Sequence, residues 1–369
     1  MGALAAPIFL RMQCVLHPYV RPLTVCYNTR PATLRASMKT VPHLTTALTG
    51  PLLDLERRIL TAMPEIEHWF RAQWQQHTTP FYASVDLRNS GFKLAPVDTN
   101  LYPGGFNNLN SEFSALCVQA TMAALQDNCP EARGLLLIPE NHTRNTFYLQ
   151  NVAALARILR HAGMVVRIGT LLPDVTAPTD IHLPDGDKIT LEPLERNGNR
   201  LTIEGFDPGV VLLNNDLSAG LPEILKGLDQ LVLPPLNAGW YMRRKSNHFA
   251  VYQEVAADFA KMLGIDPWLL NPYFEKCGKI NFHERKGEEC LEGYVSEILA
   301  DIRGKYDEYG IKQEPFVIVK ADAGTYGMGI MTVKDPSEVR GLNRKQRNKM
   351  AVVKEGLEVH EVLVQEGVY

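Results

Sequence analysis

Residues 134–170 read GLLLIPENHTRNTFYLQNVAALARILRHAGMVVRIGT, and this stretch decides the fold. GLLLIPE, residues 134–140, is a short apolar run suited to a strand buried on both faces. The following segment from Asn145 repeats apolar residues at helical spacing and closes at Gly163, a residue able to take the left-handed helix-ending conformation. MVVRIGT, from Met164, is a second β-rich run. Strand, helix and strand in so short a span predict a βαβ unit and a mostly parallel sheet.

Working outward, GVVLLNND near 209–216 and QLVLPP near 230–235 read as further buried strands, with LPEILKGL between them as a helix. Upstream, Ser111 is a candidate cap for a helix running to about Asn128. Residues 81–113 read as short strands and loops, and 43–75 as helix broken by Pro64. Downstream, a long helix starts at a Ser246 cap and stops at Gly264, and another begins near Lys286. A β-rich pattern then opens near 315, followed by a charged helix over 336–349 and the strand EVLVQEGV. The predicted class is α/β: a mostly parallel N-terminal α/β portion followed by a separate β-rich lobe. The expected divisions are 1–37, a disordered extension; 38–240, an N-terminal α/β domain; 241–314, a helical linking region; and 315–369, a partial lobe.

Composition narrows the function classes. A 45% hydrophobic and 21% charged chain is ordinary for a globular protein, and a net charge of −3 argues against a nucleic-acid-coating role. No run of 18 apolar residues suggests a membrane span. Six cysteines, at 14, 26, 117, 129, 277 and 290, form no CxxC pair and no zinc spacing with histidine. Isolated thiols of this kind suit a reducing cytoplasm. No metal ligand is assigned.

The ends differ from the middle. Arg11, Arg21, Arg30, Arg35 and Lys39 precede the first acidic residue, Asp54. Such a start reads as an organelle transit peptide or as an over-long beginning; we adopt the second reading. EVLVQEGVY reads as a strand with nothing polar after it, and the expectation is a chain lacking a C-terminal portion.

Five segments are candidates for chemistry. Phe316 to Val333 is a hairpin around Gly324, Gly327 and Gly329, with Lys320 ending the incoming strand. A strand follows the glycines, which excludes the dinucleotide fingerprint, and no GK[ST] follows, which excludes a Walker loop. A glycine flap lets backbone N–H groups approach phosphates, and the lysine can meet their oxygens. A flexible surface hairpin is the bland alternative. Gln365 to Val368 can border an adenine and a ribose, or be a plain strand. Asp86, Arg88, Lys93, Asp98, Asn100, Asn107 and Asn108 crowd a stretch with the turn Pro103-Gly104-Gly105. Both charges there suit an amino acid, although Asx residues often satisfy their own backbone. Arg243, Arg244 and Lys245 precede a helix and suit an anion. His248 reads as packing or capping. Lys276 and Lys279 are indistinguishable upstream candidates for a second phosphate lysine.

Together, LAPVDTNLYPGGFNNLNSEF, LLIPENHTRNTFYL, LPPLNAGWYMRRKSNHF, NPYFEKCGKINF and VIVKADAGTYGMGIMTV resemble the proteobacterial glutamate–cysteine ligases of the ATP-grasp-like type. The resemblance runs from about Met38 to the last residue, and it implies that 38–240 is an α/β substrate domain and 315–369 an incomplete ATP-grasp-like nucleotide-binding lobe. It implies that ATP phosphorylates the γ-carboxylate of glutamate and that the amine of cysteine displaces phosphate, giving γ-glutamylcysteine for glutathione synthesis. By this resemblance Lys320 is catalytic and joins Lys279, Gly324, Thr325, Tyr326, Gly327 and Gly329 on the triphosphate. Gln365, Glu366, Gly367 and Val368 lie at the adenine hinge. Arg88, Asp98, Asn100, Asn107, Asn108 and Arg243 contact amino-acid substrates. ATP and Mg2+ are the implied cofactors, and small molecules the partners. Metal ligands in such enzymes follow the hinge, so the expectation is a weakly active or inactive chain. A glutathione-synthetase-like ligase and a non-catalytic binding remnant are the alternatives.

Overall fold

The computed structural model describes residues 50–141, 144–324, 329–352 and 358–369. The extension expected at 1–37 lies outside the described residues, as do Thr325, Tyr326 and Gly327 of the flap.

In chain order, helices α1 (Pro51–Thr61) and α2 (Met63–Gln76) come first. They part at Ala62, two residues before Pro64, which has no N–H to continue the ladder. Strands β1 (Ser84–Asn89) and β2 (Leu94–Asn100) form an antiparallel hairpin whose register shifts between Asp86 and Leu87. Asp86 pairs with Asp98 and Leu87 with Pro96, so Val97 is the extra residue of a β-bulge. Helix α3 (Ser114–Asn128) follows. The expected Ser111 cap is instead Asn110, whose side chain accepts from the Glu112 N–H at 3.0 Å and starts a tight turn ahead of the helix.

Then come β3 (Gly134–Pro139), α4 (Thr146–His161), β4 (Val165–Thr170), β5 (Thr179–His182), β6 (Lys188–Pro193), the small hairpin β7 (Glu195–Asn197) and β8 (Arg200–Thr202), β9 (Val210–Asn214) and β10 (Leu231–Leu233). Six of these strands form one sheet in the order β10-β9-β3-β4-β6-β5. Every pairing in it is parallel except β5 with β6. Leu135, Leu137, Val210 and Leu212 pack with α4 on one face, while Leu136, Ile138, Val211 and Leu213 fill a core on the other. Burial on both faces explains the unbroken apolar runs in the sequence. The helix expected over LPEILKGL is a single turn at Glu223–Leu225. Gly227, at φ 59°, ends it before a costly helix nucleus can propagate.

The rest comprises α5 (Lys245–Leu263), β11 (Phe274–Gly278), α6 (Glu288–Glu308), β12 (Val317–Ala321), β13 (Ile330–Val333), α7 (Arg344–Ala351) and β14 (Glu361–Glu366). The charged segment 336–349 divides into a turn at Pro336–Val339 and α7, with the Asn343 side chain capping α7. A four-stranded antiparallel sheet runs β11-β14-β12-β13. Its core joins Cys277, Val317, Val319, Val362 and Val364 to α6 and also to Leu52, Leu55 and Phe92 from the start of the chain. Packing therefore crosses the boundary expected near 315. No helix among the described residues is long and apolar enough to cross a membrane.

Candidate active site

Strand alternation sets the chemistry of the four-stranded sheet. Val317, Val319 and Ala321 point into the core, so Ile318 and Lys320 point to the opposite face. Lys276 pairs with Leu363, and Leu363 with Lys320. Directly paired residues share a face, so the two lysines flank Leu363 in one row, about 10 Å apart at the usual strand spacing. Phe274, Gln365 and Ile318 make the next row of that face.

Lys320 is only 5% exposed. Its Nζ donates to Gln365 Oε1 at 2.8 Å and to the Val97 carbonyl at 2.5 Å, and stands 5.3 Å over the Phe249 ring. Burial pushes the ammonium down to about 8, while Asp98, Asp86 and Asp322 pull the other way. Burial also works against Lys276, but its bonds to Glu361 and Asp322 outweigh it and hold the ammonium above the ordinary value. Lys279 lies one residue beyond β11, exposed and at φ 67°, away from that row. The geometry thus separates two lysines that the sequence could not.

The flap is anchored at its entry. The fully buried Asp322 accepts from the Ser246 N–H and hydroxyl, both at 2.7 Å, and its carbonyl accepts from the Lys245 N–H at 2.8 Å. Ser246 is therefore not a self-cap of α5. The carboxylate that caps this helix comes from the flap, and suits the positive end of the helix dipole. Gly324, at φ 98°, and Gly329, at φ 61°, take the left-handed conformation that glycine allows without penalty.

Arg243, Lys245 and Asp98 meet beside this face. Lys245 Nζ donates to both Asp98 oxygens at 2.7 Å and lies 4.3 Å over the Trp240 ring, with the Arg243 guanidinium 4.8 Å from the same ring. Arg243 also donates to Thr99 Oγ1 at 2.7 Å. Burial would raise the Asp98 carboxyl, but Lys245 and Lys320 outweigh it and hold it below the ordinary range. His248, one turn into α5, is driven down to about 4 by burial and by the neighbouring Arg243 charge, so it is neutral near pH 7.

The profile of the glutamate-cysteine ligase family matches residues 56–369. The chain belongs to the glutamate–cysteine ligase family. A crystal structure from Methylobacillus flagellatus KT, assigned as a gamma-glutamylcysteine synthetase, is 67% identical with a TM-score of 0.84, covering 89% of this chain and 78% of that one. D-alanyl-alanine synthetase A from Vibrio cholerae O1 biovar eltor is 11% identical with a TM-score of 0.33, covering 64% of this chain and 59% of that one. A RimK-domain ATP-grasp protein from Sphaerobacter thermophilus is 11% identical with a TM-score of 0.30, over 64% of each chain. Neither of the latter two carries weight at such scores. Curated proteins give no match.

Several expected contact residues of this ligase stand elsewhere or are engaged otherwise. Glu366 is 1% exposed and faces the core, where its carboxylate accepts from Lys93 Nζ at 2.7 Å, Trp268 Nε1 at 3.1 Å and the Tyr273 N–H at 3.0 Å. Burial pushes Lys93 down and Glu366 up, each held back by the other. The Gly367 N–H is taken by the Phe316 carbonyl at 2.8 Å, and Val368 is buried. Asn100 bonds the Tyr102 backbone through both side-chain atoms, at 3.0 Å each, as an Asx turn does. Arg88 and Asn108 are exposed. Asn107 Oδ1 is buried with no partner among the described residues. Sequence reasoning missed Trp240 and Asp322 as site-forming groups; Lys245 was expected, with Arg243 and Arg244, to meet an anion, and its ammonium is held by the Asp98 carboxylate.

No group of three or more His, Cys, Asp or Glu residues suited to a metal stands together among the described residues. Asp322 and Glu361, the carboxylates paired with Lys276, are already bonded to Ser246, Lys276 and Arg244.

Proposed function

We propose that this glutamate–cysteine ligase binds the triphosphate of ATP across the Lys276–Leu363–Lys320 row, at the base of the β12–β13 hairpin. A γ-carboxylate oxygen of glutamate attacks the γ-phosphorus and ADP departs. The cysteine amine then attacks the acyl carbon, phosphate leaves with that oxygen, and the amine's proton passes to solvent. A carboxylate is a poor acyl donor and its phosphate anhydride a good one, so the protein's task is positioning and charge neutralisation.

The observation that supports this reading most is a desolvated lysine at the base of a glycine flap, in one row with a second lysine. Fixed cationic charge in a dry site acts far more strongly on transferring phosphoryl oxygens than it would in water. Lys276, rather than Lys279, is the second phosphate lysine in this reading. The ATP-grasp assignment of the lobe belongs to it too, and Gln365 to Val368 would border the adenine through backbone rather than through the Glu366 carboxylate. Magnesium enters as an ion brought by the nucleotide. The compartment is the reducing cytoplasm, consistent with free thiols at Cys117, Cys129, Cys277 and Cys290.

Calorimetric titration with a non-hydrolysable ATP analogue tests the reading. Lys320→Ala and Lys276→Ala should each weaken binding about ten- to a hundredfold, the worth of a charge-assisted contact. Lys279→Ala should leave it within about twofold. Loss on Lys279→Ala alone would overturn the assignment.

A further inference from the structure

Three buried hydrogen-bond donors lie around the segment that leads into α5. Tyr102 Oη, Trp240 Nε1 and Arg243 Nη1 are all buried and have no partner among the described residues. Tyr102 is 5% exposed and Trp240 3%. Arg243 stacks on Trp240 at 4.8 Å, and Tyr102 packs in one core with Tyr241, the residue after Trp240. The charges of Asp216 and Arg243 both act on the Tyr102 hydroxyl, in opposite directions. Arg243 Nη2 is fixed on Thr99, which aims the guanidinium and leaves Nη1 free.

Buried polar atoms in native proteins are almost always paired, so three orphaned donors in one cluster point to an acceptor that arrives from outside. The acceptor needs several lone pairs, a negative charge and little bulk. A carboxylate has all three properties, with two oxygens and about four acceptor sites. The neighbouring charges give the rest of the ligand. Asp86 and Asp98 face each other across the β1–β2 hairpin, within a few ångströms of one another by strand geometry. A carboxylate-binding cluster beside carboxylates of its own matches a zwitterion.

We infer that Tyr102, Trp240 and Arg243 hold the free α-carboxylate of an amino-acid substrate, with Asp86 and Asp98 on the side of its ammonium group. This rests on the ligase reading above and deepens it, since the α-carboxylate is the group that must not be phosphorylated. Its burial among fixed donors keeps it away from the lysine row, and the γ-carboxylate is left to react. Glutamate and cysteine both carry an α-carboxylate, and the experiment distinguishes them.

The test uses the full chain and the variants Tyr102→Phe, which removes only the hydroxyl, and Arg243→Gln. KM is measured for glutamate, cysteine and ATP, and each amino acid is titrated calorimetrically without turnover. The expected result is a rise of about ten- to a hundredfold in KM and Kd for one amino acid, with ATP within about twofold. The amino acid that moves owns the carboxylate. Wild type should also prefer that amino acid over its α-amide, and the preference should collapse in Arg243→Gln; a general loss of packing would not produce that change. The inference is overturned if neither amino acid is affected, or if all three substrates weaken together. Should wild type fail to turn over glutamate and cysteine, the ligase reading falls, and the titrations still decide: binding lost in the variants supports the cluster, and no binding to wild type refutes it.

Discussion

Lys320 Nζ donates to the carbonyl of Val97, the residue that the bulge between β1 and β2 leaves unpaired. A regular hairpin would have turned that carbonyl into its own ladder. The bulge instead aims it at the lysine, and so ties the N-terminal hairpin to the base of the flap. Asp98, the next residue, then falls within reach of Lys245. One backbone irregularity thus joins the proposed phosphate lysine to the proposed amino-acid site.

Removing the lysine should therefore cost stability as well as affinity. Lys320→Met keeps the length of the stem but orphans the Val97 carbonyl and Gln365 Oε1. An unfolding free energy lower by about 1–3 kcal/mol in denaturant melts is expected. A variant as stable as wild type would show that the two bonds contribute nothing net.

Nucleotide affinity should fall as pH rises through about 8, the value to which burial lowers Lys320. The groups around it are Asp98, Asp86 and Asp322 on one side of the balance and Lys245 on the other. Phosphates bind the protonated form, so affinity should drop towards a limit of about tenfold per pH unit above that point. The stability effect runs the other way. Between about 8 and the ordinary lysine value the unfolded chain binds more protons, so this group's contribution to stability rises with pH. Lys320→Arg, charged throughout, should flatten the affinity profile; an unchanged profile would remove Lys320 from the phosphates.

The Lys93–Glu366 pair, 0% and 1% exposed, should prove structural. Lys93→Met leaves the Glu366 carboxylate buried without its cation and should destabilise by about 3–5 kcal/mol. Adding Glu366→Gln should recover part of that loss, because the neutral amide oxygen can still accept from Trp268 and Tyr273. Equal melts for the single and double variants would contradict a coupled pair.

Gly367 should tolerate no side chain. A Cβ there would come within 2.1 Å of the Phe316 ring, which packs edge-on against Tyr369 at 4.8 Å. Gly367→Ala should cost about 1–3 kcal/mol through overpacking, read by thermal melting against Gly278→Ala as a control. Gly278 lies in strand β11 with open space around its Cβ position, and neither glycine has a positive φ, so the comparison isolates the clash.

The parallel sheet was legible because β3 and β9 are buried on both faces and leave unbroken apolar runs. The flap hairpin was legible because apolar strands bracket its glycines. Strand β11 was not, since FEKCG sits at a sheet edge and carries Glu275 and Lys276 on exposed positions. Lys93 read as a charge suited to a substrate and Glu366 as a hinge residue, because no sequence rule foretells that two opposite charges 273 positions apart will neutralise one another in a core. Tyr102 and Trp240 carried no local signal, and only the absence of partners for their polar atoms among the described residues marks them out. Ser111 and Ser246 were plausible caps on local grounds, yet Asn110 and the distant Asp322 carboxylate took those roles.

Activation of the glutamate γ-carboxylate by phosphoryl transfer is the central claim, and isotope transfer tests it most directly. Glutamate labelled with 18O in the γ-carboxylate is incubated with the purified chain, ATP and cysteine, and the released phosphate is analysed by mass spectrometry. Attack of that carboxylate on the γ-phosphorus predicts one 18O atom in the phosphate for each γ-glutamylcysteine formed. Phosphate released without label, alongside product, would contradict an acyl phosphate and the assignment of the lysine row.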